Sequence, residues 1–156
     1  IPTLEEVLDA VKAFGIQVNI ELKTGIYWYP EIEQKVADLV KASGMEEKVI
    51  YSSFNHYSIQ QIKKIVPDAE TAYLYSDIIL NVEDYAENTG VDGLHPAVYH
   101  VKMADFLKEY LDSGLNVRVW TVNEKEDMEW LIRAGVTAII TNYPDKAVQI
   151  KEKVEA

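Results

Sequence analysis

Segments with the two-residue period of β-strands alternate along this chain with segments that carry the longer period of amphipathic helices. Six strand patterns and the helical patterns around them follow one another at intervals of roughly 20 to 30 residues. Regular alternation of this kind indicates a parallel sheet whose strands are joined by right-handed helical crossovers. The sequence therefore restricts the fold to an open doubly wound sheet or a closed (β/α)8 barrel.

The predicted strands are short runs rich in β-branched and aromatic residues, namely Ile16–Leu22, Val49–Phe54, Ala69–Leu74, Val91–His95, Asn116–Thr121 and Thr137–Thr141. The predicted helices have apolar residues on one face and, in most cases, a glycine or proline at their end. They cover Leu4–Phe14, Pro30–Gly44, Ser58–Val66, Val82–Glu87, Lys102–Ser113, Glu124–Ala134 and Asp145–Val154.

Polar and aromatic residues stand at or just beyond the carboxyl ends of different predicted strands: Glu21, Lys23, Ser53, Phe54, His95, Trp120, Asn123, Thr141 and Asn142. An open sheet concentrates its site at one switch point, whereas a barrel collects its site from the ends of many strands. The distribution favours an α/β fold of the (β/α)8 TIM-barrel type. Six strands, preceded by a helix, predict one domain over residues 1–156, the C-terminal three quarters of such a barrel without its first two strands.

The strand segment Asn19–Lys23 carries the most unusual polar groups. In a strand, Asn19, Glu21 and Lys23 share one face, and the apolar residues between them share the other. A parallel strand covered by helices on both sides buries a carboxylate, which then needs a metal or a cation as partner. Two interpretations of Glu21 and Lys23 remain open at this point, a functional pair and an ordinary buried ion pair.

Composition excludes several classes of function. The formal net charge of -11 disfavours binding to nucleic acid phosphates or to anionic membrane surfaces. The absence of cysteine excludes disulfides and thiolate sites. No apolar run approaches the ~20 residues of a membrane span, so stable membrane insertion is not expected. Without a visible targeting signal, a cytoplasmic location is expected.

Five segments, in this order, resemble the glycerophosphodiester phosphodiesterase family: Ile1–Leu8, Asn19–Lys23, Val49–His56, Val119–Asn123 and Gly135–Asp145. The resemblance extends over essentially the whole chain. It implies a barrel that hydrolyses glycerophosphodiesters to glycerol 3-phosphate and an alcohol with the help of a divalent metal, Ca²⁺ or Mg²⁺.

The resemblance also implies roles for individual residues. Glu21 is similar in position to a carboxylate metal ligand of the family, and Lys23 to the lysine near the substrate phosphate. Phe54 and Trp120 resemble the apolar walls around the glycerol, with Asn123 and Ser53 as supporting groups. A divalent metal suits a carboxylate ligand and a phosphodiester substrate, because hard cations bind oxygen ligands and bridge phosphate oxygens.

The residues missing from the family pattern are its general acid and base and two of its metal ligands. The family's two histidines, in His-Arg-Gly and His-Asp motifs, are absent, as are the two carboxylates of its Glu-x-Asp motif. The three histidines present do not replace them. We expect His56 to cap a helix or to support the site indirectly, His95 to make a structural hydrogen bond, and His100 to be exposed. The chain alone is therefore predicted to have little or no phosphodiesterase activity.

Two other functions remain open. One is a partial barrel that binds a phosphate-bearing ligand or a protein partner without hydrolysing it, and the other is a lyase-type phosphodiesterase that acts on phospholipids. A six-stranded partial barrel also leaves sheet edges exposed, which predicts self-association through those edges.

Overall fold

A computed structural model describes all 156 residues, and they form two compact units, Ile1–Leu74 and Tyr75–Ala156. Helices and short parallel strands alternate in both units. The helices are α1 (Leu4–Lys12), α2 (Ile32–Ser43), α3 (His56–Ile65), α4 (Val82–Asn88), α5 (Val98–Val101), α6 (Phe106–Asp112), α7 (Lys125–Ala134) and α8 (Pro144–Glu155). The strands are β1 (Val18–Glu21), β2 (Val49–Ser53), β3 (Glu70–Tyr75), β4 (Gly93–Pro96), β5 (Asn116–Val119) and β6 (Ala138–Ile139).

In the first unit, β2 is the central strand. It pairs in parallel with β1, from Val18 opposite Val49 to Glu21 opposite Ser52. It also pairs in parallel with β3, which places Ser53 opposite Tyr73. All five residues of β2 are buried, as expected for a parallel strand with neighbours on both edges and cover on both faces.

The second unit is built around β5. This strand pairs in parallel with β4, with Leu94 opposite Val117, and with β6, with Val119 opposite Ile139. Gly93 lies close to the backbone of β5, because a Cβ atom at this position would stand 2.8 Å from the carbonyl oxygen of Asn116. Only glycine fits this register without a shift of the backbone.

Helix α1 shows how local sequence sets the elements. The Thr3 hydroxyl accepts a hydrogen bond from the Glu6 amide, and the Glu6 carboxylate accepts one from the Thr3 amide. This capping box fixes the first turn. On the buried side of the same helix, Leu8 is fully inaccessible to solvent. No helix combines the length and the apolar character that crossing a membrane requires.

The predicted helix Lys102–Ser113 is wrong at its start. The chain forms a separate short helix, α5, and then a turn in which Ala104 has φ +42°, before α6 begins at Phe106. A positive φ at alanine is incompatible with a right-handed helix, so the two segments cannot join. Most of the predicted strands are also longer than the observed ones. Regular pairing ends at Glu21 and Val119, although the next residues, Leu22 and Trp120, still donate backbone hydrogen bonds to the neighbouring strands.

Candidate functional site

Glu21 and Lys23 lie at the carboxyl end of β1 and contact each other. Lys23 Nζ donates a hydrogen bond of 2.8 Å to Glu21 Oε1. The predicted alternation is observed, since Ile20 and Leu22 are buried while Asn19, Glu21 and Lys23 are on the more accessible face. The expected burial of Glu21 is wrong: its side chain is 29% exposed and that of Lys23 is 78% exposed. The Lys23 ammonium is therefore largely in contact with solvent, and Glu21 is only partly covered.

A hydrogen-bonded network fixes the loop that follows these two residues. Ser53 Oγ donates 2.6 Å to the Leu22 carbonyl oxygen and accepts 2.9 Å from the Asn55 amide. Asn55 Nδ2 in turn donates 3.1 Å to Thr24 Oγ1. Ser53 is fully buried, so it ties the end of β1 to the end of β2.

Phe54 and His56 both follow β2, but their side chains lie in different environments. The Phe54 side chain is partly open to solvent, with 44% of its surface exposed. His56 begins α3, its Nε2 lies 3.0 Å from the Leu74 carbonyl oxygen, and its ring stacks on Tyr73 at 3.9 Å. Burial lowers the pKa of His56, and the Leu74 hydrogen bond opposes that shift in part. The predicted capping role of His56 is wrong, because Asn55 is the N-cap of α3 and His56 is instead held against β3.

In the second unit, Trp120 and Asn123 follow β5. The Trp120 indole Nε1 donates 2.6 Å to the His95 carbonyl oxygen. Asn123 Oδ1 accepts hydrogen bonds from the Asn142 amide at 3.1 Å and from Thr141 Oγ1 at 3.3 Å. Asn123 thus holds the loop after β6 through its side-chain oxygen. Neither of these hydrogen bonds involves its amide nitrogen.

His95 and His100 do not behave as predicted. His95 is fully buried, but neither ring nitrogen has a hydrogen-bond partner, so the expected structural bond is absent. Burial and the nearby Arg118 guanidinium lower the pKa of His95 to about 3. His100, expected to be exposed, is only 2% exposed, with Nε2 2.7 Å from the Ser76 carbonyl oxygen. His100 lies in α5, and its ring packs beside Tyr75 and Tyr99.

Arg118 was missed by the sequence reasoning. It is 6% exposed and occupies a strand position between the fully buried Val117 and Val119. Its guanidinium Nη1 lies 3.3 Å from the position that a Gly93 Cβ would take, which places it against β4 on the same face as His95. The sequence does contain a signal for it, because a charged residue in the middle of an apolar strand is unusual.

The side chains do not assemble a metal centre. No group of three or more histidine, aspartate or glutamate residues could hold an ion in this structure. Glu21 supplies one carboxylate, whereas Ca²⁺ and Mg²⁺ take about six or more oxygen ligands. The residues present therefore do not fit a complete site for either ion.

The fold places the chain in a known class. A crystal structure of a glycerophosphodiester phosphodiesterase from Parabacteroides distasonis superimposes with a TM-score of 0.84 at 27% identity, covering 99% of this chain and 66% of that one. An Oleispira antarctica phosphodiesterase, solved in complex with the product sn-glycerol-3-phosphate, matches with a TM-score of 0.78 at 21% identity, over 97% of this chain and 62% of that one. The fold is a partial (β/α)8 barrel of six parallel strands, as predicted.

The sequence assigns the family. The model of the glycerophosphoryl diester phosphodiesterase family matches residues 1–146. Glycerophosphodiester phosphodiesterases of Caldanaerobacter subterraneus and Bacillus altitudinis are each 37% identical over 98% and 99% of this chain. The chain belongs to the glycerophosphoryl diester phosphodiesterase family. It spans 63% and 64% of the length of those two relatives.

Proposed function

We propose that this protein acts in the hydrolysis of glycerophosphodiesters, the deacylated head groups of phospholipids, to glycerol 3-phosphate and an alcohol. The observation that carries the proposal is the family match over residues 1–146. The Glu21–Lys23 contact at the end of β1 supports it, because this places a carboxylate and an ammonium group side by side at the edge where barrel enzymes bind substrates.

Lys23 is the proposed phosphate-binding group. Its ammonium group has three donors, and one of them is directed to Glu21. The other two can bind phosphate oxygens, since the side chain is largely exposed. The partly exposed ring of Phe54 is a proposed apolar contact for glycerol carbons. Trp120 and Asn123 are the proposed substrate-binding residues of the second unit.

The metal dependence of the reaction is part of the proposal, with Glu21 as one ligand for Ca²⁺ or Mg²⁺. The residues present do not form a complete site for either ion. A general acid and base are also missing. His95 and His100 are buried, and His56 is held against Leu74 and Tyr73. We therefore propose that the chain alone binds the phosphate-bearing ligand and hydrolyses it slowly or not at all.

Calorimetric titration with sn-glycerol 3-phosphate tests the proposed role of Lys23. We expect Lys23→Met to weaken binding roughly fivefold, the loss of about 1 kcal/mol for a charged hydrogen bond at an exposed position. Lys41→Met removes an exposed lysine of α2 and serves as the matched control. Equal affinities of the two variants would contradict the role of Lys23.

Release of glycerol 3-phosphate from a glycerophosphodiester, measured with Ca²⁺ or Mg²⁺ present, tests the hydrolysis itself. Release that Lys23→Met suppresses and Lys41→Met does not would support hydrolysis by this chain. Binding without release supports the binding role that we propose for the chain alone. Absence of both would contradict the proposed function.

We also propose that the chain associates with itself through its edge strands. Strand β6 pairs only with β5, and beside it lies a cleft of about 420 Å³ with partly exposed apolar side chains, including Ile139 and Val148. In the first unit, β1 pairs only with β2. Unpaired strand edges beside apolar surface favour pairing with another chain.

A further inference from the structure

The position of the Lys23 side chain depends on the residue that follows it. Lys23 is largely exposed and contacts Glu21. Between Lys23 and Pro30, Thr24 is the only buried residue, with 7% of its surface exposed. Segments with few buried contacts are mobile, so the Thr24 side chain is the main anchor of the loop that carries Lys23.

Asn55, the N-cap of α3, and Ser58 in the first turn of this helix hold Thr24. Asn55 Nδ2 donates a hydrogen bond of 3.1 Å to Thr24 Oγ1, which lies 2.6 Å from Ser58 Oγ. Ser58 is 2% exposed and donates 2.6 Å to Glu33 Oε1 in α2. A serine hydroxyl has one hydrogen, so the bond between Thr24 and Ser58 is donated by Thr24. The hydrogen bonds therefore run in one direction, from Asn55 to Glu33.

An asparagine at position 55 has two functions at once. Its Oδ1 accepts 3.2 Å from the Tyr57 amide, which caps α3, while its Nδ2 donates to Thr24. Aspartate is an equally good N-cap, but its carboxylate has no hydrogen to donate. Capping alone does not distinguish the two residue types, whereas the bond to Thr24 requires the amide.

We propose that Thr24 and Asn55 are positioning residues for Lys23. The chain of hydrogen bonds from Asn55 to Glu33 fixes the loop, and the fixed loop holds the Lys23 ammonium group where it binds phosphate. This inference rests on the phosphate-binding role proposed for Lys23 and extends it to residues whose own contacts are with the protein.

Calorimetric titration with sn-glycerol 3-phosphate compares Thr24→Val, which removes the hydroxyl, with Thr24→Ser, which retains it. We expect Thr24→Val to weaken binding about two- to threefold, because Lys23 must then be ordered upon binding. Thr24→Ser should restore most of the affinity. Thr89→Val removes a hydroxyl that donates to backbone carbonyl oxygens of α4, and this matched control should leave the affinity unchanged.

Asn55→Asp separates capping from positioning. We expect it to weaken binding of sn-glycerol 3-phosphate by about the same factor as Thr24→Val. The ratio of its affinity to that of wild type should be equal in low and high salt, because salt would screen a purely electrostatic effect of the new charge. An unchanged affinity would assign Asn55 to capping alone and overturn its positioning role, as would a loss that high salt abolishes.

The double variant Lys23→Met/Thr24→Val tests whether Thr24 acts through Lys23. Thr24→Val should have no further effect on affinity once the Lys23 ammonium group is removed, because two residues that act through one contact are not additive. Equal effects of Thr24→Val in the presence and absence of Lys23 would overturn the proposal.

Backbone amide relaxation of the ligand-free chain gives a readout that does not depend on binding. Thr24→Val should raise the mobility of residues 24–29 above that of wild type, and Thr24→Ser should not. An equally rigid loop in all three proteins would overturn the proposal. Absence of binding by the wild type would instead contradict the phosphate-binding role of Lys23, and the positioning role with it.

Discussion

His95 is the residue whose surroundings differ most from what its neighbours in the sequence suggest. It is fully buried and neither of its ring nitrogens has a hydrogen-bond partner. A buried polar group without a partner costs free energy, and a charged imidazole at this position costs more. The low pKa of about 3 has these causes, burial first and the charge of Arg118 second.

The low pKa of His95 makes stability depend on pH. The unfolded chain binds a proton near pH 6.5, whereas the folded chain binds it only near pH 3. Stability from this group is complete above pH 6.5 and decreases as the pH falls towards 3. From pH 7 to pH 5.5 we expect His95 to lower the free energy of unfolding by about 1 kcal/mol.

Urea unfolding of wild type and His95→Leu at pH 7 and pH 5.5 measures this contribution. Between pH 7 and pH 5.5, the free energy of unfolding of the variant should decrease by about 1 kcal/mol less than that of wild type. His95→Asn, which retains a polar side chain of smaller size, should behave in the same way if His95→Leu does not fold. An identical pH dependence in all three proteins would contradict the lowered pKa, because it would mean that His95 binds protons equally in the folded and unfolded chain.

The residue scale also shows what the sequence could predict. The two-residue period placed Glu21 and Lys23 on one face of β1, and the structure has them in contact. Their exposure was predicted wrongly because burial depends on what covers a strand end, and that information lies in other segments. His100 was predicted wrongly for the same reason, since its contact with Ser76 joins residues 24 positions apart.

At the scale of elements, the break between α5 and α6 is the clearest departure from the predicted pattern. The apolar spacing from Lys102 to Ser113 fits one helix, yet Ala104 has φ +42°. An L-residue other than glycine is strained in this region because its Cβ approaches the backbone carbonyl. Periodicity reports which face is apolar and does not report where the backbone changes direction.

Replacement of Ala104 by glycine should therefore stabilise the protein. We expect Ala104→Gly to raise the free energy of unfolding by about 0.5 to 1 kcal/mol, because relief of strain exceeds the added flexibility of the unfolded chain. The matched control is Ala42→Gly in the exposed part of α2, which should lower stability by about 0.5 to 1 kcal/mol. Urea midpoints that shift in the same direction for both variants would contradict the strained turn.

At the scale of the whole molecule, the order and type of elements followed from the sequence. Strand and helix patterns alternated, and the barrel class was confirmed by solved structures of the family. The ends of the elements were less accurate: the last predicted strand, Thr137–Thr141, is reduced to Ala138–Ile139. A strand is defined by its pairing partner, and β6 has only β5 to pair with.

Self-association through the β6 edge is testable in solution. We expect sedimentation velocity to show a concentration-dependent dimer, because the cleft beside β6 leaves Val148 57% exposed. Val148→Lys places a charge on this surface and should shift the chain towards monomer. Leu80→Lys changes an 87% exposed leucine away from this cleft and should have no effect. A monomer at all concentrations would exclude the edge as an interface.

The contact between Lys23 and Glu21 has a consequence for how ligands bind. The Lys23 ammonium occupies the position that an external cation would take at Glu21, and the Glu21 carboxylate occupies the position that an external anion would take at Lys23. An anion that draws Lys23 away leaves Glu21 available to a cation, and a cation on Glu21 releases Lys23. Thermodynamic linkage makes this effect reciprocal, so anion and cation should each raise the affinity of the chain for the other.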